Sequence, residues 1–436
     1  MNKFQNSKEF LSAIEYLKNK NFNKALKIIN SVSHKYPKDQ IILKMFASIY
    51  FNNSEWEKAI SYYKKILIFE KDKFKILLNI GVSLFKLGKI NDSIKVFKNT
   101  IKSNPNFDLA YDNLGISYLE IAKLNEAIKN FSLALEINKN NLNAQRNLIN
   151  VLSLFKPTEN HNNFLIKLDK EISNLKKNLN IKNLVEEKNI KIILNKSINL
   201  INKLDKNITF NETQLFIKNS KNLNCQRHFK VFNKFNIIPK FCFNCYKIQI
   251  NLINVVDLIK LSFLFKNIKL KNNNTRKCIV EIRNQISGNY KGYIYCDGID
   301  DAKNILEIIN KEIKKINLVK PSINIKHGCS EFYKPYPKFE KVNLNNKQEM
   351  KYNEKWEAKE ILVDNEEPLR VSIDKKIWVA TLKEVGLSDI LIINNWLNYA
   401  DIIGDYSYKK FFIEKKYSPY MEKILLNQIE FRKTNE

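Results

Sequence analysis

Four side chains of this sequence form two pairs with the spacing of metal ligands. Cys225 and His228 are separated by two residues, Cys242 and Cys245 are also separated by two, and thirteen residues lie between the pairs. This separation lets both side chains of a pair bind one ion, and two pairs supply the four ligands of a tetrahedral zinc site. The spacing therefore predicts a structural zinc ion as the cofactor, held by these four residues.

The six cysteines all lie between residues 225 and 329. The start of the chain lacks the basic and then apolar profile of a signal peptide, so we expect a cytoplasmic protein that keeps its cysteines as thiols or metal ligands. Three alternatives to the zinc site stay open. They are reduced thiols buried in an aromatic-rich core, an iron–sulfur cluster, and a metal site in which Cys296 or Cys329 replaces His228.

The residues around the cysteines predict an α+β domain over residues 207–330. Runs rich in strand-forming residues alternate with helical patterns, and together they give the order β-α-β-β-α-β. The predicted strands and helices are 246–252, 254–267, 276–283, 291–296, 300–315 and 321–326. This is the order of a ferredoxin-like sandwich, in which two helices cover one face of an antiparallel sheet. The cysteine-bearing stretch 220–245 would be a metal-binding insertion before the first strand.

Part of this domain suggests RNA binding as an alternative function. The segment from Lys291 to Tyr295 and the helix after it resemble the third strand and second helix of RNA-recognition motifs. The resemblance implies that Tyr293 and Tyr295, which alternate onto one face, stack on bases. Gln249 stands where that family usually presents an aromatic residue, so the match is incomplete.

The net charge of +29 is compatible with an RNA partner. Lys and Arg exceed Asp and Glu most in residues 161–330, where the counts are 31 and 13. They are 25 and 14 in residues 1–160, and 18 each in residues 331–436. However, only six of the basic residues are Arg, and Lys, Asn and Ile dominate throughout, as AT-rich coding DNA would produce. The charge therefore places any polyanion site in the middle of the chain without requiring one.

A cysteine-dependent enzyme is the third function considered, but the sequence favours a non-catalytic protein. None of the nine Gly residues falls between 116 and 287, and the phosphate-binding and metalloprotease motifs of common enzymes are absent. Cys329 and His327 could act as nucleophile and base, with Glu281 and Arg283 beside them. A salt bridge would explain Arg276 and Arg283 equally well. No catalytic residue is assigned.

Residues 6–141 contain a repeat of 34 residues in four blocks without insertion, 6–39, 40–73, 74–107 and 108–141. Large residues recur at block positions 4, 7, 11 and 24, and small residues recur at positions 8, 20 and 27. In the last block these are Tyr111, Leu114, Tyr118 and Phe131, and Gly115, Ala127 and Ala134. Small residues let two antiparallel helices approach closely, and each hairpin leaves an apolar face that only its neighbour buries.

This pattern resembles the tetratricopeptide repeat family. The resemblance implies an α-solenoid in which the first helix of each hairpin lines a concave groove that binds a protein or peptide partner. Three Asn side chains recur at one groove position and are suited to pair with a peptide backbone, as in the similar ladders of O-linked N-acetylglucosamine transferases. Four neighbouring side chains could receive a carboxylate. The predicted peptide-binding residues are Asn79, Asn113, Asn147, Lys44, Lys86, Arg146 and Asn150.

At 436 residues the chain is longer than one hydrophobic core usually supports. We predict a multi-domain protein. Its parts are a repeat domain at 6–157 that includes a capping helix, a helical connector at 158–206, the α+β domain at 207–330, and an α+β extension at 331–436. The extension has possible strands at 369–373 and 377–382 and a helix near 387–402.

The predicted function is that of an adaptor or scaffold that binds a partner peptide. No apolar run has membrane-spanning length, so membrane insertion is not expected.

Overall fold

The computed structural model describes residues 7–36, 39–158, 162–203, 208–221, 223–283, 286–342, 349–366 and 379–411, with residues 426, 427 and 430. The chain forms two compact units, and along the sequence the first passes into the second between Asn147 and Leu148. Each unit is described separately below.

The first unit consists of consecutive helices joined by short turns. Their bounds are Lys8–Lys18 (α1), Phe22–Ser33 (α2), Gln40–Asn52 (α3), Trp56–Ile66 (α4), Lys73–Lys86 (α5), Ile90–Ser103 (α6), Asp108–Glu120 (α7), Leu124–Ile137 (α8) and Leu142–Leu152 (α9), the last of which contains the division between the units. Side-chain caps begin some of them. The Asp39 carboxylate accepts hydrogen bonds from the backbone amides of Ile41 (2.8 Å) and Ile42 (3.1 Å), which have no partner within the helix.

Four helical hairpins follow from the pattern of small and large residues. In the fourth hairpin, a Cβ atom added to Gly115 on α7 would lie 2.6 Å from Cε1 of Phe131 on α8. Gly81 and Phe97 make the same contact between α5 and α6. Both phenylalanine side chains are fully buried. The predicted repeat is confirmed, because the small residues lie where two helices of one hairpin approach most closely.

The second unit contains helices and a five-stranded sheet. The helices are Phe164–Asn178 (α10), Glu187–Asn202 (α11), Cys225–Phe235 (α12), Val255–Asn267 (α13), Gly298–Lys314 (α14), Pro337–Glu340 (α15), Glu357–Glu366 (α16) and Leu387–Ile402 (α17). The strands are Gln214–Ile217 (β1), Cys245–Leu252 (β2), Arg276–Val280 (β3), Tyr290–Asp297 (β4) and Ser322–His327 (β5). Their order in the sheet is β1-β3-β4-β2-β5, and every neighbouring pair is antiparallel.

Strand alternation gives the sheet one apolar face and one polar face. Ile248 and Ile250 of β2 pair with Ile294 and Gly292 of β4, and Gly292 lies so close to Leu261 of α13 that a Cβ atom would clash there. Helices α13 and α14 both contact the sheet. The alternate positions of the same strands belong to the other face, which carries polar, basic and tyrosine side chains.

Several elements differ from the sequence predictions. Strand β1 was not predicted, since four residues give too short a pattern to recognise. The stretch 220–245, predicted as an insertion before the first strand, contains α12 and a 3₁₀ helix at Lys240–Asn244. The helix predicted near 387–402 is α17. The predicted strand 369–373 lies outside the described residues, and residues 379–382 are not a strand.

No helix in the part of the chain that the structure describes combines the length and the hydropathy needed to cross a bilayer.

The contact of Gly115 with Phe131 predicts the effect of a small substitution. Gly115→Ala should lower the free energy of unfolding, because overpacking costs about 1–3 kcal/mol, more than the about 1 kcal/mol that Ala gains over Gly within a helix. Denaturant unfolding followed by circular dichroism measures the change. The exposed Lys129 on α8 provides a control, and Lys129→Ala should change little.

The same substitution in a Phe131→Ala background separates the two effects. Without the phenyl ring only the helix propensity remains, so Gly115→Ala should become stabilising there. An equal loss of stability in both backgrounds would show that the Phe131 contact does not set the helix spacing.

Candidate functional site

The first candidate site is the row of first helices in the first unit. Helix α5 contacts α7 directly, so the first helices of the third and fourth hairpins lie side by side. The amide nitrogen Nδ2 of Asn147 on α9 donates a hydrogen bond to Oδ1 of Asp112 on α7, at 2.9 Å. These contacts continue the row from α5 to α9. Of the predicted peptide-binding residues, Asn79, Lys86, Asn113, Arg146 and Asn147 lie along it. Lys44 lies on α3, and Asn150 lies on the part of α9 that belongs to the second unit.

The three asparagines predicted to form a ladder are all half-buried, and each already has a partner within the unit. Asn79 bonds the hydroxyl group of Tyr63. Asn113 donates from Nδ2 to the carbonyl oxygen of Leu109 one turn earlier, at 2.8 Å. Asn147 bonds Asp112, as described above. Each amide has further hydrogen-bonding atoms, so the ladder stays a prediction. Asn147 also joins two helices, whereas the bond of Asn113 stays within α7.

The predicted cationic positions fall into two groups. The ammonium group of Lys44 forms an ion pair with Oε2 of Glu70 at 2.6 Å, so a peptide carboxylate would have to compete with Glu70. Lys86 on α5 and Arg146 on α9 are exposed, as is Asn150 at the end of α9. Lys86 and Arg146 are therefore the cations best placed to receive a carboxylate.

Asp112 is an acidic residue in this row that the sequence analysis missed. Its side chain is only 3% exposed, and burial raises its pKa above the ordinary value for Asp. The bond from Asn147 and the charge of Arg146 act in the opposite direction. The sequence could have drawn attention to Asp112, because this residue directly precedes the predicted peptide-binding residue Asn113. It also lies one turn after another aspartate, Asp108, on α7.

The second candidate site lies around the cysteines of the second unit. Cys225 and His228 occur one turn apart on α12, Cys245 begins β2, and Cys329 follows β5. Cys242 is buried in a hydrophobic cluster with Ile238, Phe332 and Phe339. Among the residues that the structure describes, the predicted four do not come together within metal-binding distance. The zinc site of Cys225, His228, Cys242 and Cys245 stays a prediction.

The donors that the structure does bring together are His228, Cys329 and Glu331. One ligand atom of each lies within 4.8 Å of the others, and within the described ranges this is the one group of three or more such residues. His228 is 2% exposed. Burial lowers its pKa to about 4, which keeps the imidazole neutral at physiological pH. The sequence analysis did not select Glu331, because its closeness to α12 depends on tertiary packing.

A buried lysine lies beside this group. Lys247 of β2 is 7% exposed, and its ammonium nitrogen donates a hydrogen bond to Sγ of Cys329 at 3.0 Å. Burial lowers the pKa of Lys247, whereas the nearby Cys329, Tyr295 and Cys245 raise it. The net effect is a pKa well above the ordinary value for Lys. This hydrogen bond ties the side chain of Cys329 to the polar face of the sheet.

The nucleophile and base suggested by the sequence are not paired. The ring nitrogens Nδ1 and Nε2 of His327 lie 2.8 Å from the carbonyl oxygen of Phe339 and 3.0 Å from that of Phe243. Both nitrogens therefore face backbone carbonyls and not the thiol of Cys329. The alternative of a cysteine-dependent enzyme gains no support from His327.

The two arginines singled out in the sequence have different roles. Arg283 forms a two-point salt bridge with Glu281, with Nε–Oε1 and Nη2–Oε2 distances of 2.9 Å, so that interpretation is confirmed. For Arg276 the salt-bridge interpretation is wrong. The side chain of Arg276 is fully buried, and it donates to the carbonyl oxygen of Ile268 (3.2 Å) and to Oδ1 of Asn273 (2.9 Å) instead of a carboxylate.

The tyrosines proposed to stack on RNA bases lie on the polar face of the sheet. Tyr293 is 8% exposed, and the ammonium group of Lys277 lies 5.3 Å from the centre of its ring. Tyr295 is half-buried, with Lys247 at 5.2 Å. A stacking platform needs open ring faces. The RNA-binding alternative therefore gains no support from this arrangement.

Comparison with known proteins concerns the first part of the chain. The family model described as the TT21 fifth ARM repeats domain matches residues 42–155. These residues contain most of the helical hairpins whose packing was described above. The first unit is a tetratricopeptide-like repeat segment. No curated protein matches the chain.

Several solved structures are similar to the chain over limited regions. MamA from Desulfovibrio magneticus RS-1 is 15% identical, with 45% of this chain and 96% of that chain covered and a TM-score of 0.31. The first TPR domain of human RPAP3 is 24% identical, with 26% and 88% covered and a TM-score of 0.25. A structure described as the first TPR of Spaghetti (RPAP3) bound to the HSP90 peptide SRMEEVD has 24% identity, 26% and 89% coverage and a TM-score of 0.25.

Burial of Asp112 within the repeat segment predicts a pH dependence. Because its folded-state pKa lies above the unfolded value of 3.8, the folded chain binds more protons than the unfolded chain between these two pKa values. The contribution of Asp112 to stability therefore increases as the pH falls through this window, and at neutral pH the buried carboxylate is unfavourable.

Asp112→Asn should consequently raise the free energy of unfolding at neutral pH, and the difference from the unmodified chain should shrink as the pH approaches 4. Urea unfolding at several pH values measures both effects. Asp92→Asn, at an exposed position on α6, is the matched control. A stability difference that does not change with pH would show that burial is not what disfavours the Asp112 carboxylate.

Proposed function

We propose that this protein is an adaptor whose repeat segment binds an extended acidic peptide of a partner protein along its first helices. The observation that carries the proposal is the exposure of Lys86 and Arg146 on first helices of the stack. Beside these cations the first helices also expose two apolar side chains, Leu109 (40%) and Leu142 (54%).

The polar side chains of the same row suit an extended backbone. A peptide in extended conformation offers alternating amide and carbonyl groups, and an Asn side chain can pair with either. Asn113 is half-buried, and its own bond to Leu109 uses one of its two amide hydrogens at most. Its remaining hydrogen and its carbonyl oxygen have the chemistry needed to bind one peptide unit.

Charge supports an acidic partner over a basic one. In residues 1–160 the count of Lys and Arg exceeds that of Asp and Glu by 25 to 14. Exposed charges interact over about 10 Å at moderate salt, so the excess would speed the approach of an acidic segment. Lys86 and Arg146 would then fix its position with charge-assisted hydrogen bonds.

Selection from a phage-displayed library of random peptides tests this proposal. Peptides selected on the full-length chain should be enriched in Asp and Glu, and synthetic copies measured by fluorescence anisotropy should bind more weakly as salt increases. The double variant Lys86→Glu/Arg146→Glu should weaken binding by about 10-fold or more, which is about 1.4 kcal/mol. Asn113→Ala should weaken it without unfolding the stack.

The control for charge reversal is Lys129→Glu, which changes an exposed lysine on a second helix. It should leave the affinity within about twofold of the unmodified chain, because exposed charges that make no direct contact contribute little. Selected peptides without acidic residues, or equal affinities for both charge-reversal proteins, would contradict the proposal.

We also infer that the second unit is a ferredoxin-like sandwich with one added strand. The strands β2, β3, β4 and β5 and the helices α13 and α14 follow one another in the predicted β-α-β-β-α-β order. The sheet order β3-β4-β2-β5 with antiparallel neighbours supports the same arrangement, and β1 extends the sheet beside β3. An experimental structure in which β2 does not separate β4 from β5 would overturn it.

A further inference from the structure

We infer that His228, Cys329 and Glu331 form a binding site for one zinc ion in the second unit. This site shares only His228 with the four ligands predicted from the sequence. It is independent of the peptide-binding function proposed for the repeat segment.

The geometry of the three donors is the first argument. A nitrogen of His228, Sγ of Cys329 and a carboxylate oxygen of Glu331 lie within 4.8 Å of one another. Around a zinc ion with bonds of about 2.0–2.3 Å, tetrahedral ligand atoms are separated by roughly 3.3–3.8 Å. Side-chain adjustments of about 1 Å would therefore bring the three donors to bonding distance. Imidazole, thiolate and carboxylate are all zinc ligands in proteins.

The second argument is an unsatisfied polar atom. His228 is 2% exposed, and its Nε2 atom is buried with no hydrogen-bond partner among the residues that the structure describes. Burying a polar atom without a partner typically costs about 1–3 kcal/mol. A zinc ion bound at this nitrogen would remove that cost, because the lone pair of a neutral imidazole would form a metal bond.

The third argument is that hydrogen bonds from neighbouring side chains position the other two donors, Cys329 and Glu331. Lys247 donates a hydrogen bond to Sγ of Cys329 at 3.0 Å and so fixes the position of the sulfur atom. Nη1 of Arg283 donates to Oε1 of Glu331 at 3.1 Å, and Arg283 is itself fixed by Glu281. Such outer partners orient metal ligands and adjust their basicity.

The backbone conformation of Gly328 helps to place Cys329 beside His228. Gly328 has a φ angle of +57°, and a Cβ atom there would clash with the ring of Phe339. Its amide donates to the carbonyl oxygen of Cys245 at 2.8 Å. Glycine therefore allows the chain to turn sharply at the end of β5 and to place Cys329 and Glu331 near His228.

The chemistry of the three donors selects among metal ions. Calcium and magnesium require several oxygen ligands, whereas zinc forms strong bonds to thiolate and imidazole. The three protein donors leave one position of a tetrahedral shell open.

Metal titration of the reduced, chelator-treated full-length chain tests the site. We expect one zinc ion per chain by equilibrium dialysis and elemental analysis. Cobalt substitution should give a tetrahedral visible spectrum whose sulfur-to-metal charge-transfer band has the intensity of one thiolate. Cys329→Ser and His228→Gln should each weaken binding by more than the about 10-fold typical for loss of an outer partner. Glu331→Gln should weaken it in the same direction.

Matched variants distinguish this site from the one predicted by the sequence. Cys242→Ser should leave zinc affinity unchanged, and so should Cys278→Ala, which removes a fully buried thiol of β3. Far-ultraviolet circular dichroism of each variant identifies any protein that fails to fold, and the cobalt spectrum of the unmodified chain does not depend on the variants. A charge-transfer band with the intensity of three thiolates would show that zinc binds instead at the site predicted from the sequence. Zinc binding that is lost in Cys242→Ser but kept in Cys329→Ser would show the same. No zinc binding at micromolar concentrations would overturn both.

Discussion

In the third and fourth hairpins of the repeat segment, the contact between a glycine on the first helix and a phenylalanine on the second sets the spacing of the two helices. Gly115 lies against Phe131, and Gly81 lies against Phe97. The close approach directs the remaining large side chains toward neighbouring hairpins, and each apolar face is buried against the next hairpin. The first helices then lie beside one another, and their outward positions become available to polar and charged residues. The proposed peptide-binding surface depends on this packing.

The second unit depends on a different constraint, which is the alternation of side chains along central strands. The register of β2 with β4 places Ile248 opposite Ile294 on one face and Lys247 opposite Tyr295 on the other. The apolar face is covered by helices. On the polar face, the ammonium group of Lys247 is buried and bonds a thiol. Burying a charged group is costly unless it is hydrogen-bonded, and the bond to Cys329 supplies one partner for Lys247.

Much of the fold could be predicted because it rests on local periodicity. The repeat of 34 residues located the hairpins, and runs of β-branched residues located β2 to β5. Strand β1 was missed because only its pairing with β3 defines it. The candidate sites were predicted less well. Spacing along the chain grouped Cys242 with Cys245, yet tertiary packing buries Cys242 among phenylalanines and brings Glu331 near α12.

The asparagine row shows the same limit in the repeat segment. Recurrence at one block position identified Asn147, but the sequence could not show that its amide is bonded to Asp112 of the preceding hairpin. Hydrogen bonds between elements depend on side-chain directions, which a repeat pattern leaves undetermined.

The fully buried guanidinium of Arg276 has a consequence for how the second unit folds. Its acceptors are the carbonyl oxygen of Ile268 and the side chain of Asn273, both in the connection between α13 and β3. Burial lowers its pKa to about 10, so it stays charged at physiological pH. Docking of β3 before that connection is in place would leave a cation in an apolar interior without acceptors. Stable packing of β3 therefore requires Ile268 and Asn273 to be in position as hydrogen-bond acceptors.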